Sequence, residues 1–161
     1  METDYPGYWP NRYWPAGYWA PGYWFAGASA YATIAWALRE KLLETAAIAS
    51  SIEGVFPFYA PQLPSLPIVL YHTPRDFPIV DILYTGELQR AIVQFDCLAT
   101  SHESAWDISE QLRKVLQGYE GTHLAIKIFG VDVISRFALH FPEFDEFRVV
   151  MQLAAWYKRI L

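Results

Sequence analysis

The sequence lacks the cysteines, the long apolar runs and the excess of positive charge that several classes of protein require. Its one cysteine, Cys97, excludes an internal disulfide and a thiolate metal cluster within the chain. No run approaches the ~20 apolar residues of a membrane span, so we expect no contact with a membrane. Lys and Arg number 12 against 17 Asp and Glu, a net charge of −5. We therefore expect no basic face for DNA or anionic lipid.

Aromatic residues are abundant and unevenly placed. Ten of the 28 lie in residues 1–25, where Tyr-Trp doublets recur with a strict period of five. That period fits neither a helix nor a strand, and the Pro and Gly between the doublets favour type II turns. We therefore predict an irregular arm over residues 1–27, followed by a domain over residues 28–161. The doublets are Tyr8 with Trp9, Tyr13 with Trp14, Tyr18 with Trp19, and Tyr23 with Trp24.

The arm carries enough apolar surface to form an interface by itself. Each Tyr or Trp buries ~150–250 Å², so the eight doublet residues offer on the order of 1,200–2,000 Å², the size of a specific protein–protein interface. Because so much apolar surface promotes aggregation in water, we expect the arm to be docked. We favour docking of the arm on the surface of another subunit. Packing on its own domain, and a stacking platform for sugar or single-stranded nucleic acid, are the alternatives.

The rest of the chain mixes helical and extended patterns. Apolar residues recur at helical spacing over 29–51, and a second helix is predicted over 101–117, with Thr100 and Glu103 as a capping box and Gly118 at its end. Extended segments are predicted at 68–72, 77–84, 88–98, 122–129, 131–139 and 146–157. Pro78 limits 77–84 to an edge or a projecting loop. The order of a helix, strands, a second helix and further strands predicts an α+β fold. Its mixed, mainly antiparallel sheet has four to five strands covered by two helices.

Residues of catalytic type show no spacing that supports catalysis. Cys97 lies within a predicted strand, where a small buried residue is the default interpretation, and the four histidines lack metal-ligand spacing. The acidic residues near His140 are typical of a solvated turn. We therefore predict no catalytic residue, no metal and no cofactor, and do not expect an enzyme. Arg75 and Asp76, on a predicted exposed loop, join the doublets as candidate interface residues.

Several segments carry a resemblance to a known family. Residues 86–100 read Gly-Glu-Leu-Gln-Arg-Ala-Ile-Val-Gln-Phe-Asp-Cys-Leu-Ala-Thr, and a helix that closes at Gly118 follows. A proline segment at 57–62 precedes them, and the segment 147–157 ends the pattern in Trp-Tyr. Over roughly residues 30–157 the chain resembles the tail-terminator, or tail-completion, proteins of long-tailed bacteriophages. The aromatic arm departs from that pattern.

The resemblance implies a structural protein of the virion at the tail–neck junction, present in the host cytoplasm during assembly. It implies a homo-hexameric ring that ends the tail tube and joins it to the neck or head, while DNA passes through the lumen without specific binding. The implied partners are the tail tube protein and a neck or head-completion protein. The alternatives are another neck component, such as a head-closure or adaptor protein, and a carbohydrate-binding module that stacks sugars on the doublets. A small hydrolase built on Cys97 or His140 comes last.

Overall fold

The helices and strands follow one another along residues 33–58, 65–78, 88–123 and 125–160, the part of the chain that this computed structural model describes. The predicted arm and all its doublets lie outside these residues, so the division at 27/28 stays a prediction. In chain order the elements are α1 (Ile34–Leu43), α2 (Ala46–Ala49), β1 (Val55–Pro57), β2 (Ile68–Pro78), β3 (Gln89–Ala99), α3 (His102–Leu116), β4 (Gly121–His123), β5 (Ile126–Phe141) and β6 (Glu146–Arg159). A single 3-10 turn, Pro142–Phe144, joins β5 to β6.

The strands form one mixed sheet in the order β1-β2-β3-β6-β5-β4. The pairing of β1 with β2 is parallel, and the remaining pairs are antiparallel. The α+β class and the mainly antiparallel sheet are therefore confirmed. The predicted count of four to five strands is wrong, because the described part of the sheet has six. Both β1 and β4 have three residues, too few for an alternating pattern to be visible in the sequence.

Strand β5 contains the second half of the predicted strand 122–129 and all of the predicted strand 131–139. The sequence pattern separates 122–129 from 131–139 at Gly130, but β5 passes through this glycine without a turn. Its register against β6 shifts between Ile128 and Gly130 and again between Val133 and Ser135, so bulges absorb the irregular residues. Similarly, Phe77 and Pro78 complete β2 instead of starting a strand of their own. The remainder of the predicted segment 77–84 lies outside the described residues.

The first predicted helix, over 29–51, is divided into α1 and α2. Helix α1 begins after Thr33, whose side-chain oxygen accepts a hydrogen bond from the amide of Trp36 at 3.2 Å. Thr45, which precedes α2, has an extended backbone and separates the two helices. None of the helices in the described ranges is long and apolar enough to cross a bilayer.

The second predicted helix corresponds to α3, with one correction at its start. Ser101, and not Thr100, is the N-cap, and its side chain accepts from the amide of Ser104 at 3.1 Å. Gly118 follows the helix with a φ of 71°, the left-handed conformation expected of a glycine that ends a helix.

One face of the sheet packs against the helices and forms the core. On β3 the predicted set of Ala91, Val93, Phe95 and Cys97 is fully buried on this face. Strand β6 adds Val149, Met151, Leu153, Ala155 and Tyr157, and the helices add Leu38, Leu42, Leu112 and Leu116. Each fully buried Val, Leu, Phe or Met side chain of this set contributes ~1.5–3 kcal/mol, so this helix-facing side of the sheet is the main source of stability.

Candidate assembly surfaces

Arg75 and Asp76, predicted to lie on a loop, belong to strand β2. They pair with Ile92 and Ala91 of β3, after a register shift that follows His72. Because β1 pairs only as far as Tyr71, the outer edge of β2 beyond that residue has no strand beside it among the described residues. An edge position also explains why β2 tolerates its prolines, since an edge strand need not donate from every amide.

Asp76 has an intramolecular partner. The hydroxyl group of Tyr157 donates a hydrogen bond to Oδ2 of Asp76 at 2.6 Å. Burial of the ring, followed by this hydrogen bond, raises the pKa of Tyr157. The pair ties the edge strand β2 to β6 across β3. Arg75 is exposed beside it, and the interface roles of Arg75 and Asp76 stay predictions.

The second half of β5 forms a free edge on the opposite side of the sheet. Strand β4 pairs only with residues 126–128. The end of α3 covers the next stretch, since the amide of Gly118 donates to the carbonyl of Val131 at 2.7 Å and Oε1 of Gln117 accepts from the amide of Val133 at 2.9 Å. Beyond Val133, no described element bonds to the outer edge of β5. Unpaired strand edges of this kind are sites of association.

From Arg136 onwards, the even-numbered side chains of this free segment lie on the helix-facing side of the sheet, opposite Met151, Val149 and Phe147 of β6. Nη1 of Arg136 donates to Oε2 of Glu110 at 2.8 Å, and its guanidinium lies 5.3 Å from the ring centre of Trp106. The ring of His140 stacks on Phe147 at 4.3 Å. Hydrogen bonds from Arg113 and Arg136 lower the pKa of Glu110 to about 2. These contacts fix the orientation of the segment relative to α3.

Odd-numbered side chains of the same segment form an exposed apolar surface, which we call the tip patch: Phe137, Leu139 and Phe141 of β5, with Phe144 of the following turn. Their exposed fractions are 44%, 41%, 36% and 73%. The register places the three β5 residues opposite Val150, Arg148 and Glu146 of β6, on the face away from the helices. Exposed apolar residues grouped in this way mark interaction sites.

A row of polar side chains lies on the same face as the tip patch. The row consists of Gln152, Gln94, Asp96, Arg148 and Glu146, joined in that order at 3.1, 2.8, 3.6 and 3.0 Å. The guanidinium of Arg148 lies 5.1 Å from the ring centre of Phe141. The row therefore gives the tip patch a polar margin and holds Arg148 against it.

The candidate chemical groups are held in structural roles. Cys97 is fully buried, and burial followed by the charge of Asp96 raises the pKa of its thiol, the opposite of what a nucleophile needs. The acidic residues near His140 do not converge: Asp132 accepts from Gln117, whereas Glu146 pairs with Arg148. In the described ranges, no group of three His, Cys, Asp or Glu residues is placed to hold a metal ion.

The tip patch was missed by reasoning from the sequence. Residues 137–141 read Phe-Ala-Leu-His-Phe, an alternation that is typical of a strand with one face in the core. Alternation does not reveal which of the two faces is covered. The available signal is the acidic turn that follows at 142–146, which indicates that this end of the strand reaches solvent.

Comparisons with known proteins agree with the resemblance read from the motifs. Residues 36–158 match the family described as Tail completion protein gp17, whereas no functionally curated protein matches the chain. A solved structure described as the virion of a native gene transfer agent particle is similar, with a TM-score of 0.60 and 14% identity over 76% of this chain and 92% of that one. At 14% sequence identity, this similarity shows that the two proteins share a fold. Because the family match spans most of the sequence, this chain belongs to the tail completion protein gp17 family and is a structural protein of a phage-type virion tail.

Proposed function

We propose that the chain forms a homo-hexameric ring that ends the tail tube and joins it to the neck or head. The observation that carries this proposal is the family match over residues 36–158, which extends from the first turn of α1 almost to the end of β6. The tail tube protein and a neck or head-completion protein are its partners on the two faces of the ring.

The sheet offers two different sides for closing such a ring. A ring needs a heterologous interface, in which one surface of each subunit meets a different surface of the next. The outer edge of β2 beyond Tyr71 lies on one side of the sheet, and the edge of β5 beyond Val133 lies on the other. These edges run in opposite directions, because each pairing from β2 through β3 and β6 to β5 is antiparallel. A β5 edge and a β2 edge of the next subunit are therefore antiparallel wherever they meet in such a ring.

The aromatic arm is the second part of the proposal. We assign residues 1–27 to an adjacent subunit or a neck protein, where the doublets bury their rings. An interface of this size stabilises an assembly without any regular structure in the arm itself. Arg75 is exposed on the β2 side, and we assign it a polar contact at the margin of the same interface.

The ring's charge fits the passage of DNA. Six copies with a net charge of −5 carry roughly −30 in total, and a lumen lined with basic groups would retain phosphate by releasing counterions. We expect Asp and Glu to outnumber Lys and Arg on the lumen wall. An electrostatic map of the assembled ring tests this, and a predominantly basic lumen contradicts it.

No catalytic step is part of the proposal. The family is a structural one, and the buried Cys97 with its raised thiol pKa is unsuited to nucleophilic attack. His140 lies in β5, and its ring is stacked on Phe147 of β6. We therefore assign the chain no enzymatic activity.

Electron microscopy of particles assembled without this protein tests the proposal. We expect filled heads beside tails that are overlong or unjoined, and we expect the wild-type chain, supplied in trans, to restore whole particles. Heads that leak their DNA would instead identify a head-closure or adaptor protein. Normal particles would contradict any role at the junction.

A further inference from the structure

We propose that the turn between β5 and β6 of one subunit docks on a basic, aromatic surface at the opposite end of the sheet of the next subunit. This inference rests on the proposed ring and adds to it the two surfaces that meet. The turn presents Glu143, Phe144 and Asp145. We call the receiving surface the basic patch. It consists of Arg75 and Phe77 of β2, Arg90 of β3, Trp156 of β6, and Lys127 and Phe129 of β5.

The strand register gathers the basic patch on the face of the sheet away from the helices. One row of paired residues crosses four strands through Phe77, Arg90, Trp156 and Gly130. The neighbours Ala91 and Tyr157 point to the other face, where they are buried in the core. A Cβ built on Gly130 meets nothing within 4 Å, so the row is open beside Trp156.

The cations of the basic patch lie against its aromatic rings. The guanidinium of Arg90 is 5.5 Å from the ring centre of Trp156, and Nζ of Lys127 is 5.3 Å from that of Phe129. In the described part of the chain, Arg75, Arg90 and Lys127 form no salt bridge with a carboxylate. The patch therefore suits a partner that carries carboxylates beside an apolar ring.

The described carboxylates closest to the patch along the strands have other partners. Asp76 pairs with Ala91 on the helix-facing side and accepts from Tyr157. Oδ1 of Asp132 accepts from Nε2 of Gln117 at 2.9 Å. Five further charged residues lie outside the described residues and are not counted on either surface: Glu2, Asp4, Arg12, Asp81 and Glu87.

The β5–β6 turn has the composition that the basic patch requires. Phe144 is exposed by 73%, the largest value among the big apolar residues of the described ranges. Glu143 and Asp145 flank it and are exposed. Neither carboxylate has a salt bridge to any residue that the structure describes. The turn thus places one ring between two carboxylates, whereas the patch places rings between cations.

A subunit cannot dock its turn on its own patch. Glu146 lies beside the turn, and Trp156 of the patch follows ten residues later on the same strand. At ~3.3 Å per residue the two are ~33 Å apart. The net charge of −5 conceals this separation of charge along the strands. A second copy is the occupant whose charge matches, because it brings an acidic turn to each basic patch.

The position of the free strand edges agrees with this contact. The free edge of β2 beyond Tyr71 lies at the end of the sheet that carries the patch, and the free edge of β5 beyond Val133 lies at the end that carries the turn. An interface built on these edges therefore joins opposite ends of neighbouring subunits, as a heterologous ring requires. Docking also withdraws the cations of the patch from the lumen, in keeping with the acidic wall expected there.

Two charge variants of the full chain test the inference. The turn variant combines Glu143→Lys with Asp145→Asn, since Asn tolerates the left-handed backbone of residue 145, whose φ is 49°. The patch variant combines Arg75→Glu with Arg90→Glu. We expect each variant alone to stay monomeric, because like charges then meet at every contact. An equimolar mixture should recover a particle of about 110 kDa, six times the 18.5 kDa of the chain, in which the two variants alternate.

A matched control separates this contact from a general effect of charge. Glu53→Lys with Glu120→Gln changes the net charge by the same +3 as the turn variant, at exposed residues outside both surfaces. We expect this control to form the wild-type hexamer. Its dissociation would overturn the inference. Recovery of the hexamer in the mixture also shows that both variants fold.

The remaining outcomes distinguish the inference from the ring itself. Hexamers formed by either variant alone, or a mixture that stays monomeric while the wild type is hexameric, overturn the inference and leave the ring standing. If a short DNA duplex binds the wild type but not a hexameric patch variant, nucleic acid is the occupant and the inference is wrong. A wild-type chain that stays monomeric contradicts the ring as well as the inference.

Discussion

Tyr157 of β6 and Asp76 of β2 are joined across β3 by a hydrogen bond of 2.6 Å. Tyr157 is 1% exposed, so its hydroxyl is the polar end of a residue that otherwise belongs to the core. Asp76 lies on the free edge of β2 that we assign to the subunit interface. The pair therefore couples the packing of the core to the position of that edge.

Replacing Tyr157 with Phe removes the hydroxyl and keeps the ring. We expect a loss of ~1.5–3 kcal/mol in the free energy of unfolding, the usual value for a hydrogen bond to a charged group. Chemical denaturation measures the loss, and Arg75→Gln, on the same edge, is the control that should leave stability unchanged. Equal stability of Tyr157→Phe and the wild type would show that the bond contributes nothing.

The raised pKa of Tyr157 also predicts a dependence on alkaline pH. Since the phenol ionises at a higher pH in the folded protein than in the unfolded chain, its contribution to stability is intact below the usual tyrosine pKa of 10.0 and is lost as the pH rises above it. We expect the difference in stability between wild type and Tyr157→Phe to shrink from pH 9 to pH 11. A difference that grows over this range contradicts the assignment.

The lowered pKa of Glu110 predicts the opposite pH dependence of stability, at acid pH. Hydrogen bonds from Arg113 and Arg136 lower its pKa to about 2, so the stability that the carboxylate adds is present above the usual glutamate pKa of 4.5 and is lost as the pH falls towards 2. We expect Glu110→Gln to unfold at a lower temperature than the wild type at pH 6. The two melting temperatures should converge towards pH 2, and a constant gap would contradict the assignment.

Gly118 is expected to resist substitution for a reason of backbone conformation alone. Its φ is 71°, and a Cβ built there meets nothing within 4 Å. Gly118→Ala should therefore cost ~1 kcal/mol through the left-handed conformation. Gly130 is the matched control, because its Cβ also meets nothing within 4 Å and its φ is not positive. Equal costs at the two glycines would exclude this explanation.

Cys97 is expected to be unreactive in the folded protein. Burial raises the pKa of its thiol, so both access and thiolate formation are prevented. A disulfide-exchange reagent should modify it only after denaturant is added. Modification in native buffer at the rate of a free thiol would show that β3 opens, or that the residue is not where the structure places it.

The sequence predicts the parts of this fold whose local pattern and tertiary environment agree. Strand β3 and helix α3 are found because Ala91, Val93 and Phe95 alternate and because Ile108 and Leu112 recur at helical spacing, and the same residues are buried. The interruption at Thr45 and the passage of β5 through Gly130 are missed. Both depend on the rest of the sheet and helices, which a local window does not contain.

The candidate assembly surfaces are only partly accessible to the same reasoning. The doublets stand out because a period of five matches neither a helix nor a strand. The sequence therefore predicts an arm but does not indicate what the arm contacts. The pairing of Asp76 with Tyr157 joins residues 81 positions apart. The tip patch is hidden for a related reason, since Phe137 and Leu139 look like core residues until the absence of a covering layer among the described residues is seen.

The most direct test is the mass of the purified protein in solution, with and without residues 1–27. We expect the full chain to scatter light as a particle of about 110 kDa, six times its 18.5 kDa. The truncated chain, whose described core is complete, should fold but lose the hexamer. A full chain that stays a monomer at assembly concentrations would contradict the ring, and a truncated chain that still forms the same hexamer and joins heads to tails would contradict the role of the arm.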